Sequence, residues 1–241
     1  MGDLREELRL SDCPSGLGWD SGGNLLLVSM QDRRLLVQRD GTLHELANLS
    51  LHAAGLCNDL LTDGSDRAYV GNFGFDLYGG EPPKPTCLLR VDPDGSVHRA
   101  AENMIFPNGM ALTPDGATLI VAETHGQRLS AFDVGRDGVL MQRRLFVDLP
   151  GIYPDGLCLD AEGAVWVADA RGHQVLRIKE GHGAVQTLST GSRRAFACML
   201  GGDDGRTLFV CTANGIGSDA EKRTDGCIEF TRVGAPHAGR P

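Results

Sequence analysis

A hairpin-like phrase occurs five times along this 241-residue chain, and the repeat restricts the fold more than any other feature. Each copy has a short apolar stretch, a turn built on Gly or Asp, and an apolar run rich in β-formers. The copies start about 40 to 50 residues apart, the period of propeller blades. They read GLGWDSGGNLLLVSM from Gly16, DLLTDGSDRAYVGN from Asp59, GMALTPDGATLIVAE from Gly109, GLCLDAEGAVWVAD from Gly156 and CMLGGDDGRTLFVCT from Cys198. The repeat predicts a β-propeller with one blade per copy.

Each repeat is expected to form a blade of four antiparallel strands. The central turns carry pairs such as Asp115-Gly116, which favour a tight hairpin. A second hairpin turning at Asp137-Gly138 completes the third unit, and most of the others follow the same plan. No apolar period of 3.6 residues is sustained, which argues against helices. We therefore predict an all-β protein, a single domain over residues 1–241 with five blades in residues 14–241.

The last repeat supplies three predicted strands, over residues 197–201, 207–212 and 227–233, and lacks an outer fourth. Residues 4–10 alternate in polarity, with Leu4, Leu8 and Leu10 on one side. We predict that residues 1–13 contain a strand that pairs with residues 227–233 and closes the ring. The competing expectation is an arc with a gap, in which the edge of the last blade stays unpaired.

The charge balance excludes several classes of partner. Lys and Arg total 23 against 32 Asp and Glu, a formal charge of -9, so no basic surface is available for nucleic acid or an anionic membrane. No leader-like or membrane-spanning pattern is present, and the seven cysteines show no metal-binding spacing. The expected location is the cytoplasm, with the thiols reduced.

One residue of each repeat falls at the same place, at the start of the innermost strand. These residues are Ser15, Asn58, Asn108, Asp155 and Ala197. Inner strands meet at the channel of a propeller, so three oxygen donors (Asn58, Asn108 and Asp155) would converge there and suit calcium, with magnesium or manganese as alternatives. Asn and Asp beside Gly also suit turns, but the hairpin turns lie elsewhere in each repeat.

Four of the repeats, with the residues around them, resemble successive blade openings of the SMP-30/gluconolactonase/LRE-like family, which includes regucalcin. The matching segments are CNDLLTDGSDRAYVGNFG, FPNGMALTPDGATLIVAET, YPDGLCLDAEGAVWVAD and FACMLGGDDGRTLFVCTA. The resemblance implies a hydrolase that opens a sugar or related lactone at a divalent metal, calcium first, with zinc, magnesium or manganese as alternatives. It assigns Asn108 and Asp155 as metal ligands, Asn58 as a substrate or metal contact, and Asp155 as the catalytic acid/base.

The sequence departs from that family at three points. The family has six blades and a metal-binding Glu in its first, whereas this chain shows five repeats and no such motif; Asp12 is the candidate substitute. Leu56 stands where the family has a substrate-binding arginine. We therefore keep open a lactonase, a catalytically weakened binding or scaffold propeller, and a truncated family member. Five other polar residues are expected to be surface or turn residues: Asn72, Asp76, Glu123, His125 and Asp169.

Overall fold

The computed structural model describes residues 6–215 and 225–239, and over these ranges the chain forms 19 strands and no helix. The strands make five antiparallel sheets, taken here as blades 1 to 5 in chain order. Blade 1 holds β1 to β4, at Pro14–Trp19, Leu25–Ser29, Arg34–Arg39 and Thr42–Asn48. Blade 2 holds β5 to β8, at Cys57–Thr62, Ala68–Asn72, Thr86–Val91 and Val97–Met104.

The remaining blades follow the same order from the channel outwards. Blade 3 holds β9 to β12, at Pro107–Leu112, Thr118–Glu123, Arg128–Val134 and Leu140–Asp148. Blade 4 holds β13 to β16, at Pro154–Leu159, Val165–Asp169, Gln174–Lys179 and Gly183–Ser189. Blade 5 holds β17 to β19, at Arg194–Gly201, Thr207–Ala213 and Cys227–Arg232. The predicted propeller is confirmed, with four blades of four strands and a described fifth blade of three.

The predicted hairpin turns follow from glycine conformations. Gly116 and Gly163 have φ angles of 70° and 73°, a left-handed region that is open to Gly and costly for most other residues. These turns set the register, so that Leu119 pairs with Leu112 on one side and with Phe132 on the other. Turn chemistry at a fixed place in each repeat is what made the blades predictable from sequence.

Apolar side chains pack between neighbouring blades, since each sheet buries both faces except at the ends of the series. Leu89 and Leu35 belong to the cluster between blades 1 and 2, and Val210 and Trp166 to that between blades 4 and 5. The two ends differ: Trp19 of blade 1 and Phe230 of blade 5 are 53% and 74% exposed. The terminal blades therefore present apolar faces to solvent.

The structure corrects the prediction that an N-terminal strand closes the ring. Residues 6–13 lie in no strand, and among the described residues β19 pairs only with β18, while residues 4 and 5 lie outside them. Alternation alone was too weak a signal, because a strand also needs a partner edge and an apolar face to cover. Leu8 and Leu10 are only half-buried, and Glu6 and Arg9 pair with each other in solvent at 2.7 Å.

Residues 234–239, here called the C-terminal strap, cross from blade 5 towards blades 3 and 4. The His237 backbone N–H donates to the Gly205 carbonyl, and the Ala238 N–H donates to the Leu159 carbonyl at 3.0 Å. Asp160 and His237 form an isolated antiparallel bridge. The strap thus ties blades 4 and 5 together through backbone hydrogen bonds, and at Gly239 it lies against Pro114 of blade 3. In the described ranges, nothing helical is long or apolar enough to traverse a membrane.

Candidate functional site

Side chains from four blades form a hydrogen-bonded chain across the channel, here called the polar ring (Ser15, Asn58, Asn108 and Asp155). The Ser15 hydroxyl donates to the Asn58 amide oxygen at 3.1 Å, and the Asn58 amide nitrogen donates to the Asn108 oxygen at 2.7 Å. Asn108 also hydrogen bonds to the Asp155 carboxyl. The structure therefore brings together the three oxygen donors that the repeat phase predicted, whereas Ala197 supplies no polar side chain.

A buried threonine fixes one end of the polar ring. Asn108 is 4% exposed and donates through its amide nitrogen to the Thr124 hydroxyl at 3.0 Å. That hydroxyl donates in turn to the Pro154 carbonyl at 2.7 Å, one residue before Asp155. Thr124 thereby links the inner strands of blades 3 and 4 and orients the Asn108 side chain.

Glycines beside the polar ring allow the inner strands to approach closely. A Cβ atom on Gly109 would lie 2.3 Å from the Asp155 carbonyl oxygen, and one on Gly156 would lie 2.7 Å from the Ala197 Cα. Gly16 meets the backbone of Asp59 and Leu60 in the same way. Blades 2 and 5 differ at this position, because the residue after Asn58 is Asp59 and the residue after Ala197 is Cys198.

Asp59 adds a second carboxyl group to the site, and the sequence analysis missed it. Burial raises the pKa of Asp59 to about 6, despite a hydrogen bond from the Leu60 backbone N–H. Burial, and then the negative charge of Asp59, raise the pKa of Asp155 to about 8, while the Asn108 hydrogen bond acts in the opposite direction. The two carboxyls are close enough to oppose each other's ionisation.

These residues fit a hard divalent cation. No ion pair within the described ranges involves Asp59 or Asp155, so the two half-buried carboxyls have no cationic side chain to offset them. Carboxylate and amide oxygens from Asn58, Asn108 and Asp155 are donors that calcium and magnesium accept. Zinc fits less well, since the described residues contain no cluster of three or more His, Cys, Asp or Glu.

Asp12 has other partners. Its carboxylate accepts hydrogen bonds from the Ser29 hydroxyl at 2.6 Å and from the Gln31 and Asp32 backbone N–H groups at 3.0 Å. Burial alone would raise the pKa of Asp12, but these hydrogen bonds outweigh it and lower the value. Among the contacts of the described residues, none joins Asp12 to the polar ring.

Three of the residues expected at the surface or in turns are buried. Glu123 is fully buried and binds Arg128 and Arg143 at 2.9 and 2.6 Å. Asn72 donates to the Cys87 carbonyl at 2.7 Å, and Asp169 accepts from the Tyr153 and Arg171 backbone N–H groups. These three residues end the second strands of blades 2, 3 and 4 and hold the loops that follow. By contrast, Asp76 is exposed and His125 is half-buried.

A largely apolar set of residues precedes the polar ring by two positions in each blade. This set, here called the collar, consists of Cys13, Leu56, Phe106 and Tyr153. Their carbonyls accept equivalent hydrogen bonds, from the backbone N–H groups of Met30, Phe73, Thr124 and Ala170 respectively. The repeated bond shows that the four residues are structurally equivalent. Each collar residue directly precedes the first residue of an inner strand, so the collar borders the polar ring at the end of the channel where the inner strands begin.

Aromatic rings join the collar of blades 2 to 4. The Phe106 ring packs edge-on against Phe73, with centroids 4.4 Å apart, and lies 5.5 Å from the His125 ring. His125 contacts Tyr153 at 5.7 Å, and the Arg171 guanidinium lies 4.1 Å above the Tyr153 ring. Burial, and secondarily the charge of Arg171, lower the pKa of His125, which favours a neutral imidazole at this edge.

A cavity of about 750 Å³ lies in the channel, lined mainly by residues that follow the polar-ring positions along the inner strands and by none of the collar residues. Inner strands of all five blades line it, and it reaches the site at Asp59, Gly156 and Ala197. That volume is within the range of small-molecule sites. Fold and site together define a class: a β-propeller whose channel carries an oxygen-rich site suited to a cation and a small ligand.

The chain belongs to the SMP-30/gluconolactonase/LRE-like family, whose sequence profile matches residues 3–214. It is 27% identical to pentonolactonase XacC of Haloferax volcanii over 95% of this chain and 81% of that protein. Regucalcin of Danio rerio is 32% identical over 68% of this chain and 56% of its own length. A 6-deoxy-6-sulfogluconolactonase of Pseudomonas putida is 30% identical over 64% of this chain and 55% of its own.

Solved structures agree with the fold. A luciferin-regenerating enzyme superposes with a TM-score of 0.80 at 19% identity, covering 96% of this chain and 81% of that one. A calcium-binding regucalcin from Agrobacterium tumefaciens gives a TM-score of 0.76 at 23% identity, covering 96% and 79%. At these identities the likeness supports the propeller architecture alone. The match with regucalcin of Danio rerio covers about half of that protein's length, as does the match with the sulfogluconolactonase.

Proposed function

We propose that this protein is a lactonase that opens a sugar or related lactone by water attack at a divalent-cation site in the channel, in the cytoplasm. The observation that carries the proposal is the pair of half-buried carboxyls, Asp59 and Asp155, set beside amide oxygens without a cationic side chain. Family membership and relatives named as lactonases support the reaction class.

Asn58, Asn108 and Asp155 would hold the cation, which when bound supplies polarisation of the lactone carbonyl. In this proposal Asp155 accepts the proton of the attacking water at a carboxylate oxygen. The acyl C–O bond of the ring then breaks, and the proton passes to the departing alkoxide oxygen to give a hydroxy acid. Asn58 hydrogen bonds to the substrate through its amide.

Two measurements on matched variants test the proposal. Calcium titration by calorimetry should give a dissociation constant on the order of 10⁻⁴ M, because one assigned carboxylate and two amides make a weak site. Proton release from glucono-δ-lactone and a pentonolactone should exceed the spontaneous rate. Asp155→Asn should abolish the excess, whereas Asp203→Asn, the same change at an exposed position, should not. Full activity of Asp155→Asn would refute the assigned role.

A second candidate is a propeller that binds a ligand without hydrolysing it. The observation in its favour is Ala197, which leaves the fifth blade without a donor at the polar-ring position. Calcium binding with no lactone hydrolysis above the spontaneous rate would favour this candidate. Absence of both heat and hydrolysis in folded protein would exclude a cation site at the polar ring.

A further inference from the structure

We infer that the collar selects lactones that carry an aliphatic arm over polyhydroxylated sugar lactones, an inference that rests on the proposed lactonase function. The five residues that precede the polar-ring positions by two are Cys13, Leu56, Phe106, Tyr153 and Ala195. None of them is charged. A substrate held at the polar ring would therefore extend its substituent against an apolar layer.

Leu56 is the collar residue of blade 2. It is half-buried and packs on a cluster of Phe73, Phe75 and Phe106, together with Met30 and Leu77. The cluster members are at most 5% exposed, so Leu56 rests on a rigid apolar wall. A hydroxyl pressed against such a wall loses its hydrogen bonds to water and finds no replacement. An alkyl chain suffers no such loss and gains contact.

Phe106 is held in an uncommon backbone conformation. Its φ angle is 60°, a region that bulky residues seldom adopt. The Ile105 N–H donates to buried Glu123 at 2.8 Å, and the Thr124 N–H donates to the Phe106 carbonyl at 3.0 Å, so both sides of the residue are anchored. Strained backbone that the surroundings enforce is concentrated at functional sites. Here it keeps an aromatic ring two residues from Asn108.

Tyr153 and His125 extend the apolar layer towards blade 4. Both are half-buried, and their rings contact each other edge-on at 5.7 Å, so their outer surfaces remain available to a ligand. The exposed Arg171 lies over the far side of Tyr153. A substrate substituent that starts near Asp155 would thus contact the aromatic rings and the Leu56 side chain before it reaches a charged group.

The test compares a series of γ-lactones with side chains of increasing length against glucono-δ-lactone. Each methylene that the collar covers should raise kcat/KM about twofold to fourfold, the upper value being that of full burial. Leu56→Arg should flatten the series. Leu51→Arg introduces the same side chain where the leucine is 90% exposed, and should leave the series unchanged. Tyr153→Ser provides a second collar variant with the same expected direction, should Leu56→Arg fail to fold.

Failure of the inference and failure of the proposed function give different results. Hydrolysis of glucono-δ-lactone with no gain along the alkyl series would overturn the collar assignment and leave the lactonase intact. If no lactone is hydrolysed, calorimetric binding of unreactive γ-lactams with the same alkyl arms decides the collar separately. A γ-lactam affinity that rises with arm length in the parent protein but not in Leu56→Arg supports the collar assignment. An affinity independent of arm length overturns it.

Discussion

Replacing Gly109 with Ala should destabilise the protein and weaken the site, because the new methyl group has no room. Its Cβ would lie 2.3 Å from the Asp155 carbonyl oxygen, 2.7 Å from the Gly156 Cα and 2.8 Å from the Leu157 nitrogen. All three are backbone atoms of the next inner strand, which cannot rotate away as a side chain could. Overpacking of this kind costs about 1–3 kcal/mol. At roughly 2–4 °C per kcal/mol for a chain of this size, Tm should fall by roughly 2–12 °C.

Gly64→Ala is the matched control. A Cβ atom on Gly64 meets nothing within 4 Å, and its φ angle is not in the left-handed region. The substitution should be neutral, or should stabilise by about 0.4–1 kcal/mol through the unfolded chain. Thermal unfolding of both variants, followed by circular dichroism, gives the comparison, and calcium titration shows whether displacement of Asp155 weakens binding. Equal Tm values for the two variants would refute the argument that inner-strand spacing requires glycine.

Three further outcomes follow from the site and its supports. Without divalent cations, Tm should fall as the pH rises through about 6 to 8, because the raised pKa values of Asp59 and Asp155 favour folding only while the carboxyls are protonated. Added calcium should reverse the fall, and a Tm that rises over this range would contradict it. Glu123→Gln leaves two arginines without their shared buried carboxylate and should cost about 3–5 kcal/mol in urea unfolding. Thr124→Val removes the hydroxyl that orients Asn108; it should cost about 1–3 kcal/mol and weaken calcium binding in calorimetry, whereas an unchanged affinity would argue against that orienting role.

The repeat made most of the fold predictable, because each blade is built from residues adjacent in sequence. The equivalent positions in the repeats also predicted that Asn58, Asn108 and Asp155 would lie together, and a hydrogen bond joins Asn58 to Asn108. Asp59 was missed since it stands where three of the other four copies have glycine, and it was interpreted as the start of a repeat. A carboxylate at the position that is glycine in most other repeats was the sequence signal that could have identified Asp59.

Residues whose partners are distant in sequence could not be placed. Glu123 looked like a turn residue because its burial depends on Arg143, which lies in the outer strand of the same blade. The collar was also missed, since the backbone hydrogen bond that reveals its equivalence, such as that from Thr124 to Phe106, leaves no mark on composition. The N-terminal strand was predicted from alternation alone, but Leu8 and Leu10 are only half-buried and β19 pairs only with β18 among the described residues.

The C-terminal strap has a consequence for the order of folding. Most of the strand pairing in the blades joins strands that are consecutive in sequence. Such local contacts can form early in folding. The strap instead hydrogen bonds to Leu159 and Gly205, and Gly239 lies against Pro114. It can dock only after the edges of blades 3, 4 and 5 have formed. We therefore expect its docking to be the last step of folding and its release to be the first step of unfolding.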